Sequence, residues 1–85
     1  MKNITMVPVE SSQLQSAGYD ENLQDLYVEF KNGTVYRYYD VPHTTFHQLE
    51  KADSPGSYFA VHIKGKFEYK KLEVVVDNSL LKLSN

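Results

Sequence analysis

The side chains best suited to chemistry are aromatic and basic, and they fall in two short stretches. The first is GTVYRYYDVP at 33–42, and the second is HIKGKFEYKK at 62–71. Exposed rings can stack on nucleobases, while arginine and lysine side chains can hold phosphates. The residues that we predict to contact RNA are Arg37, Tyr39, Lys64, Lys66, Lys70 and Lys71.

The charge of the chain is divided unevenly along its length. The formal net charge is −2, which by itself argues against a nucleic-acid-binding protein. Residues 1–53 carry a net charge of −4, whereas residues 54–85 carry +2. The lysines of the second stretch therefore predict a modest positive patch, although clustered lysines are also typical of an ordinary solvated surface.

Catalytic and metal-binding patterns are weak in comparison. His43 and His47 lie four residues apart on a predicted helix, and a third ligand such as Glu50 or His62 would have to join them. The chain has no cysteine, which excludes zinc–thiolate sites, thiol nucleophiles and disulfides. No nucleophile elbow, phosphate-binding loop or zinc-protease helix is present. We therefore expect no enzyme activity, no cofactor and no metal site.

Length and composition indicate one small globular domain that spans 1–85. The 85 residues are 41% hydrophobic and 24% charged, with seven tyrosines and four phenylalanines to build a core. No apolar run approaches the roughly 20 residues that span a bilayer, and the first residues lack the apolar stretch of a signal peptide. The sequence therefore predicts a cytoplasmic protein with no membrane partner.

The elements that must position the candidate residues begin with a β-hairpin. Alternating apolar residues at 26–30 indicate a half-buried strand, and VYRYYD at 35–40 follows the turn signal KNGT. A two-residue turn, which the Asn-Gly dipeptide favours, would pair Phe30 with Val35. A three-residue turn would instead pair Phe30 with Thr34.

The face on which Arg37 lies decides between these two turns. The two-residue turn would bury Arg37 beside Val28. The free energy needed to desolvate this charge is larger than the stabilisation that the favoured Asn-Gly turn would provide. We therefore predict the three-residue turn, with Arg37 across from Tyr27 and diagonal to Glu29, in reach of cation–π and ionic contacts. The inward face is then Leu26, Val28, Phe30, Tyr36 and Tyr38. The other face, predicted to be open for stacking, carries Tyr27, Glu29, Val35, Arg37 and Tyr39.

Helices are predicted after the hairpin, within 41–53 and 54–67. The first has an apolar stripe at helical spacing, formed by Phe46, Leu49 and Ala52. The second begins with Ser54 as N-cap and Pro55 in its first turn, and Gly65 is predicted to end it.

The remaining segments complete the predicted fold. SSQLQSAGY at 11–19 and KLEVVVD at 71–77 indicate further strands, and NSLLKLSN at 78–85 indicates a short helical turn that packs Leu80 and Leu81. The predicted fold class is α+β. It consists of a small antiparallel sheet of about three or four strands, in a hairpin or meander, packed with two helices.

Together these segments resemble the KTSC domain family, which is named for its presence at the C-terminus of some lysyl-tRNA synthetases. The resemblance covers about residues 9–70, through VESSQLQSAGYD, LYVEFKNGTVYRYYDVP, LEKADSPGSYF and HIKGKFEY. Its Tyr-x-Tyr mark falls on Tyr36 and Tyr38, and its Gly-Tyr-Asp falls on GYD at 18–20. Ala60 departs from the pattern, since relatives often have asparagine after the Tyr-Phe pair. Residues 71–85 form an extension beyond the resemblance.

The resemblance implies a small domain of a family whose function is not established. Its members are mainly free-standing bacterial and phage proteins, and the synthetase fusion suggests RNA binding. One hypothesis is therefore an RNA-binding module that uses the aromatic and basic residues. The alternative is a protein-interaction module without nucleic acid, in which exposed aromatic residues and Leu80, Leu81 and Leu83 meet a partner or a second copy.

Overall fold

Two antiparallel sheets and two helices form the fold in the computed structural model, which describes residues 2–83. The strands are β1 (Lys2–Thr5), β2 (Val7–Pro8), β3 (Leu14–Asp20), β4 (Asp25–Phe30), β5 (Val35–Tyr38), β6 (Tyr69–Leu72), β7 (Val76–Asp77) and β8 (Leu80–Leu83). The helices are α1 (His43–Lys51) and α2 (Pro55–His62). The α+β class with two helices is confirmed. The predicted number of strands was too small, because residues 2–83 form eight strands, several of only two to four residues.

The sheets are joined by the short path from β1 to β2. The larger sheet has the strand order β2-β3-β4-β5-β6, and the smaller sheet has the order β1-β8-β7. Every pairing in both sheets is antiparallel. A single residue, Met6, separates β1 from β2 and therefore links the smaller sheet to the larger one.

The β4–β5 hairpin has the predicted three-residue turn. The Phe30 N–H donates to the Thr34 carbonyl at 2.8 Å, and the Gly33 N–H donates to the Phe30 carbonyl at 2.9 Å. Gly33 has a φ of +93°, a left-handed conformation that glycine adopts without steric cost. The register follows from this turn, since Val28 pairs with Tyr36 and Tyr27 pairs with Arg37.

The main core lies on the helix side of the larger sheet. The predicted inward face is confirmed there, because Leu26 and Val28 are fully buried and Tyr38 is 5% exposed. Phe30 and Tyr36 are partly buried and pack against the same cluster. The other buried members of this core are Leu14, Ala17, Val41, Leu49, Phe59 and Ile63.

The opposite face of the larger sheet is covered by the smaller sheet and is not open. Tyr27 and Val35 are both fully buried there, so the prediction that Tyr27 belongs to an exposed stacking platform was wrong. The physical reason is a second core, in which these two residues pack with Ile4, Met6 and Leu81.

The chain end that was predicted as a helical turn is the strand β8. Leu81 is fully buried in the second core, and Leu80 and Leu83 are half-buried, so these leucines do not form an exposed contact surface. Ser84 and Asn85, which belonged to the same predicted turn, lie outside the described residues.

The two helices begin close to the predicted positions. Ser54 caps α2, since its hydroxyl accepts a hydrogen bond from the Ser57 N–H at 3.4 Å, and Pro55 occupies the first turn. Gly65, with a φ of +78°, lies in the turn that follows the helix. In the described part of the chain, neither helix has the length and apolar character needed to traverse a bilayer.

Gly18 lies where the smaller sheet and the β1–β2 link pack closely against the larger sheet. A Cβ atom at this position would lie 2.7 Å from Ile4 Cγ2, 2.7 Å from Met6 Sδ and 2.8 Å from the Thr5 carbonyl oxygen. These distances are shorter than van der Waals contact, and one of the three atoms belongs to the backbone. The first residue of the Gly-Tyr-Asp motif is therefore explained by packing.

We expect Gly18→Ala to destabilise the protein by about 1–3 kcal/mol, because the added methyl group overpacks the interface between the two sheets. Urea unfolding followed by far-UV circular dichroism measures this change. The matched control is Gly56→Ala in α2, where the added Cβ meets only the Ser11 hydroxyl at 3.0 Å and alanine favours the helix. Equal stability of the two variants would contradict this account of Gly18.

Candidate nucleic-acid interface

An aromatic cleft of about 490 Å³ opens between α2 and the β5–β6 end of the larger sheet. The rings of Tyr36 and Tyr38 each approach the ring of Tyr69, with centroids 5.7 and 5.6 Å apart. Phe59 of α2 meets Tyr38 edge to face at 5.7 Å. The cleft thus offers several ring surfaces with different orientations.

The rings of the cleft differ in their exposure to solvent. Tyr69 is 59% exposed, Tyr36 is half-buried and Tyr38 is only 5% exposed, so Tyr38 forms the floor and Tyr69 the open wall. Burial, followed by the neighbouring phenols of Tyr36 and Tyr69, raises the pKa of Tyr38 to about 12. The floor is therefore a neutral phenol at physiological pH, and the exposed wall is free to stack on a ligand.

Polar side chains surround the aromatic cleft. Lys64 lies at the end beside α2, and Gln13, Asn32 and Thr34 contribute to the other end. Lys71 is the cross-strand neighbour of Tyr36, so its side chain lies on the cleft side of β6. A flat ring with hydrogen-bonding edges and a nearby anionic group matches these surroundings.

Arg37 lies on the opposite face of the sheet, as predicted, but its ionic partner is Asp25. Its Nε and Nη2 atoms donate to one carboxylate oxygen of Asp25, at 2.9 and 2.6 Å. The predicted partner Glu29 instead accepts a hydrogen bond from the Ser16 hydroxyl at 2.7 Å. Arg37 is therefore already paired with an acid, and its side chain is only 28% exposed.

Two aromatic rings flank the Arg37 guanidinium. The guanidinium carbon lies 5.6 Å from the Tyr27 ring centroid and 5.1 Å from the Tyr39 ring centroid. The predicted cation–π contact between Arg37 and Tyr27 is confirmed, and Tyr39 supplies a second one. Arg37 and Tyr39 thus lie together, but Arg37 covers one face of the Tyr39 ring that could otherwise stack on a base.

The structure divides the predicted lysines among three places along one margin of the sheet. Lys70 is the cross-strand neighbour of Arg37, so Lys70 and Lys71 extend from opposite faces of β6. Lys64 lines the aromatic cleft, and Lys66 lines a shallow hollow together with Tyr39. The six predicted residues therefore surround the β5–β6 margin and do not form one flat platform.

The outer edge of β6 remains unpaired within residues 2–83, because β6 is the last strand of its sheet. Its residues alternate in chemistry, with Tyr69 and Lys71 on the cleft face and Lys70 on the other. Lysines on an edge strand disfavour pairing with another strand. Protection of the β6 edge thus explains the positions of Lys70 and Lys71 without any ligand.

The histidine pair does not gather a metal site. The rings of His43 and His47 are 6.4 Å apart, and the nearest acid to His43 is Glu21, at 3.6 Å from its Nε2. His62 lies on α2, where its ring packs against Tyr58. Within the described range of 2–83, no three histidine, aspartate or glutamate side chains converge in a way that could hold an ion.

The other two residues of the Gly-Tyr-Asp motif also have structural roles. The Tyr19 hydroxyl donates to the Val41 carbonyl, which ties β3 to the segment before α1. Asp20 accepts hydrogen bonds from Lys2 and from the Asn22 backbone N–H. The hydrogen bond from Lys2, assisted by the backbone donors, lowers the pKa of Asp20 below its ordinary value.

Sequence reasoning did not identify the cleft itself. Tyr36 and Tyr38 were interpreted as core residues, and Tyr69 and Phe59 were not proposed as site residues. The one available signal was Tyr69 between charged residues, after the glycine at position 65. Ala60, the departure from the family pattern, also lies in the cleft wall.

Comparison with known proteins matches residues 10–67 to the family model described as the KTSC domain. The crystal structure of a KTSC domain protein from Yersinia pestis is similar, with a TM-score of 0.78 and 35% sequence identity. The match covers 81% of this chain and 97% of that protein. Neither match indicates a catalytic family.

Two curated relatives show the range of contexts in which this sequence occurs. The lysine–tRNA ligase of Trichormus variabilis is 43% identical over 63 residues, which are 74% of this chain but 11% of the ligase. A protein of Tsukamurella paurometabola is 42% identical over 62 residues, 73% of this chain and 92% of that protein. The chain thus corresponds to a small segment of the ligase and to nearly all of the second relative.

We expect a late phase in the alkaline titration of the seven tyrosines. Burial raises the pKa of both Tyr27 and Tyr38 to about 12, while unfolded tyrosines ionise near 10, so stability falls as the pH rises above 10. Tyr38→Phe should remove part of the late phase in the tyrosinate absorbance and leave the early phase unchanged. Loss of early absorbance in Tyr38→Phe would show that the floor of the cleft is open.

Proposed function

The chain belongs to the KTSC domain family, and from its aromatic cleft and the surrounding lysines we propose that it is a binding module for single-stranded RNA. The observation that carries this proposal is the position of Tyr69, a largely exposed ring that forms a wall of the cleft with Lys64 and Lys71 beside it. Unpaired bases can reach such a ring, whereas bases stacked in a duplex cannot.

Stacking on Tyr69 and Tyr36 would supply the base contacts. Stacking on aromatic side chains contributes roughly 1–3 kcal/mol per base and tolerates different bases, since each base has a π-face. The amides of Gln13 and Asn32 at the far end of the cleft could add contacts to base edges. In this proposal Tyr36 and Tyr69 serve as the stacking rings, instead of Tyr27, which is buried.

The lysines around the β5–β6 margin would supply the phosphate contacts. Lys64 and Lys71 lie on the cleft side, and Lys66 and Lys70 continue the positive region around the margin. Arg37 contributes less free charge than the lysines, because Asp25 already accepts two of its hydrogen bonds. Binding that depends on lysine–phosphate contacts weakens as the salt concentration rises.

The relatives support a nucleic-acid partner without assigning one. The lysine–tRNA ligases of Trichormus variabilis, a Nostoc strain and Nostoc punctiforme contain a segment 38–43% identical to this chain, and the name of these relatives refers to a tRNA. The alternative of a protein partner is weakened, because Leu81 is buried and Leu80 and Leu83 are half-buried.

Binding can be measured by fluorescence anisotropy with a labelled single-stranded RNA of mixed sequence. We expect micromolar-range affinity at low salt that falls as salt is added. Tyr69→Ala should weaken binding by about 5- to 150-fold, as the loss of one stacked base implies. The Lys64→Ala, Lys71→Ala double variant should reduce the slope of log affinity against log salt by about 1.4, or ~0.7 for each phosphate contact.

The matched control is Lys51→Ala, which removes an exposed lysine at the end of α1, away from the cleft. This variant should retain the affinity and the salt slope of the parent protein. Absence of binding at low salt would eliminate RNA as the ligand and leave a protein partner as the better explanation of the surface. Equal losses in Lys51→Ala and in the double variant would place the interface elsewhere.

A further inference from the structure

We propose a second binding site, for a terminal phosphate group, in a pocket on the opposite face of the β5–β6 margin. The pocket has a volume of about 630 Å³ and is lined by Tyr27, Arg37 and Lys70, together with Lys2. This site does not depend on the proposed RNA binding, since a small phosphate ester would satisfy it as well as the end of an RNA strand.

The first observation is an unsatisfied polar atom. The hydroxyl of Tyr27 is buried and has no hydrogen-bond partner, and it is the one buried side-chain atom in this condition within residues 2–83. Buried polar groups without a partner are rare in folded proteins and call for a specific explanation. A phosphate oxygen is a strong acceptor that would satisfy this donor.

The hydroxyl keeps its proton under physiological conditions. Burial, partly offset by Arg37, raises the pKa of Tyr27 to about 12. Tyr27 is therefore a neutral donor in a pocket of charged groups. Tyr27 lines the pocket but is fully buried, so binding of a phosphate to its hydroxyl requires the surrounding side chains to move.

The second observation is the geometry of Arg37. Asp25 occupies its Nε atom and one Nη atom, which leaves N–H groups of the guanidinium for another acceptor. The rings of Tyr27 and Tyr39 hold the guanidinium between them, so the unused donors have a fixed direction. A planar, pre-positioned guanidinium suits phosphate oxygens, which it can contact through two N–H groups.

The charges around the pocket favour an anion, although not by a large margin. Lys2, Arg37 and Lys70 line it, against the single acid Glu73, while Lys71 borders it with a side chain that extends from the other face of β6. Asp20 and Asp25 lie behind Lys2 and Arg37 and pair with them, and Asp20 also accepts backbone hydrogen bonds. Arg37, with its guanidinium carbon 5.6 Å from the Tyr27 ring centroid, and its cross-strand neighbour Lys70 therefore provide positive charge on this face of the margin.

The first test is a titration with inorganic phosphate followed by ¹H–¹⁵N NMR. We expect saturable shifts at Arg37, Lys70 and the residues around them. Tyr27→Phe removes only the hydroxyl and should weaken phosphate binding at least ~5-fold, while the melting temperature stays the same or rises, because an unpaired buried group is lost. Tyr58→Phe, the matched control, removes a phenol hydroxyl on α2 that does not line the pocket, and should retain full affinity.

Three results would overturn the proposal. These are the absence of saturable shifts, unchanged affinity in Tyr27→Phe, and shifts confined to Lys64 and Lys66.

A second experiment identifies the source of the phosphate by comparing 5′-phosphorylated and 5′-hydroxyl RNA of one sequence. Tighter binding of the phosphorylated strand, abolished by Tyr27→Phe, assigns the site to an RNA end, whereas equal binding with intact phosphate shifts assigns it to a small phosphate ester. Phosphate shifts without any RNA binding would remove the proposed function and retain this site.

Discussion

The turn between β4 and β5 determines which side chains each half of the molecule receives. Side chains alternate between the two faces of a strand, so a slip of one residue exchanges every side chain between the faces. The left-handed Gly33 and the Phe30–Thr34 hydrogen bond fix the register that directs Tyr36 and Tyr38 towards the helices. The same register directs Arg37 towards the smaller sheet, where Asp25 compensates its charge. Both the aromatic cleft and the pocket lined by Tyr27, Arg37 and Lys70 depend on this one turn.

Because both faces of the larger sheet are covered, ligands have access mainly at the margin formed by β5 and β6. The charged groups deeper in the fold are paired, Lys2 with Asp20 and Arg37 with Asp25. Such pairs reduce the cost of burying charge more than they attract ligands. The lysines on and before β6 are exposed and carry charge for which the described residues show no ion pair. This division separates the residues that hold the fold together from those that remain available to a partner.

Local sequence patterns predicted the parts of the fold whose causes are local. The hairpin register follows from the cost of burying Arg37, and the start of α2 follows from the Ser54-Pro55 pair. The smaller sheet could not be predicted in this way, because its strands have two to four residues and pair across almost the whole chain. Tyr27 was misplaced for this reason, since nothing near it in the sequence indicates the layer that buries it. The cleft was missed because Tyr36 and Tyr69 come together only when β6 pairs with β5.

The pairing of β1 with β8 also has a consequence for biosynthesis. Lys2 lies opposite Leu83, so a ribosome must release nearly the entire described segment before this ladder can close. Until β1 pairs with β8, the apolar surface around Val35 is exposed to solvent in the partly folded nascent chain. Closing so long a loop delays assembly, since its entropy must be lost before the contacts form. Strand β8 therefore covers the second core late in folding. Before β8 pairs with β1, the chain is most prone to aggregate or to bind chaperones.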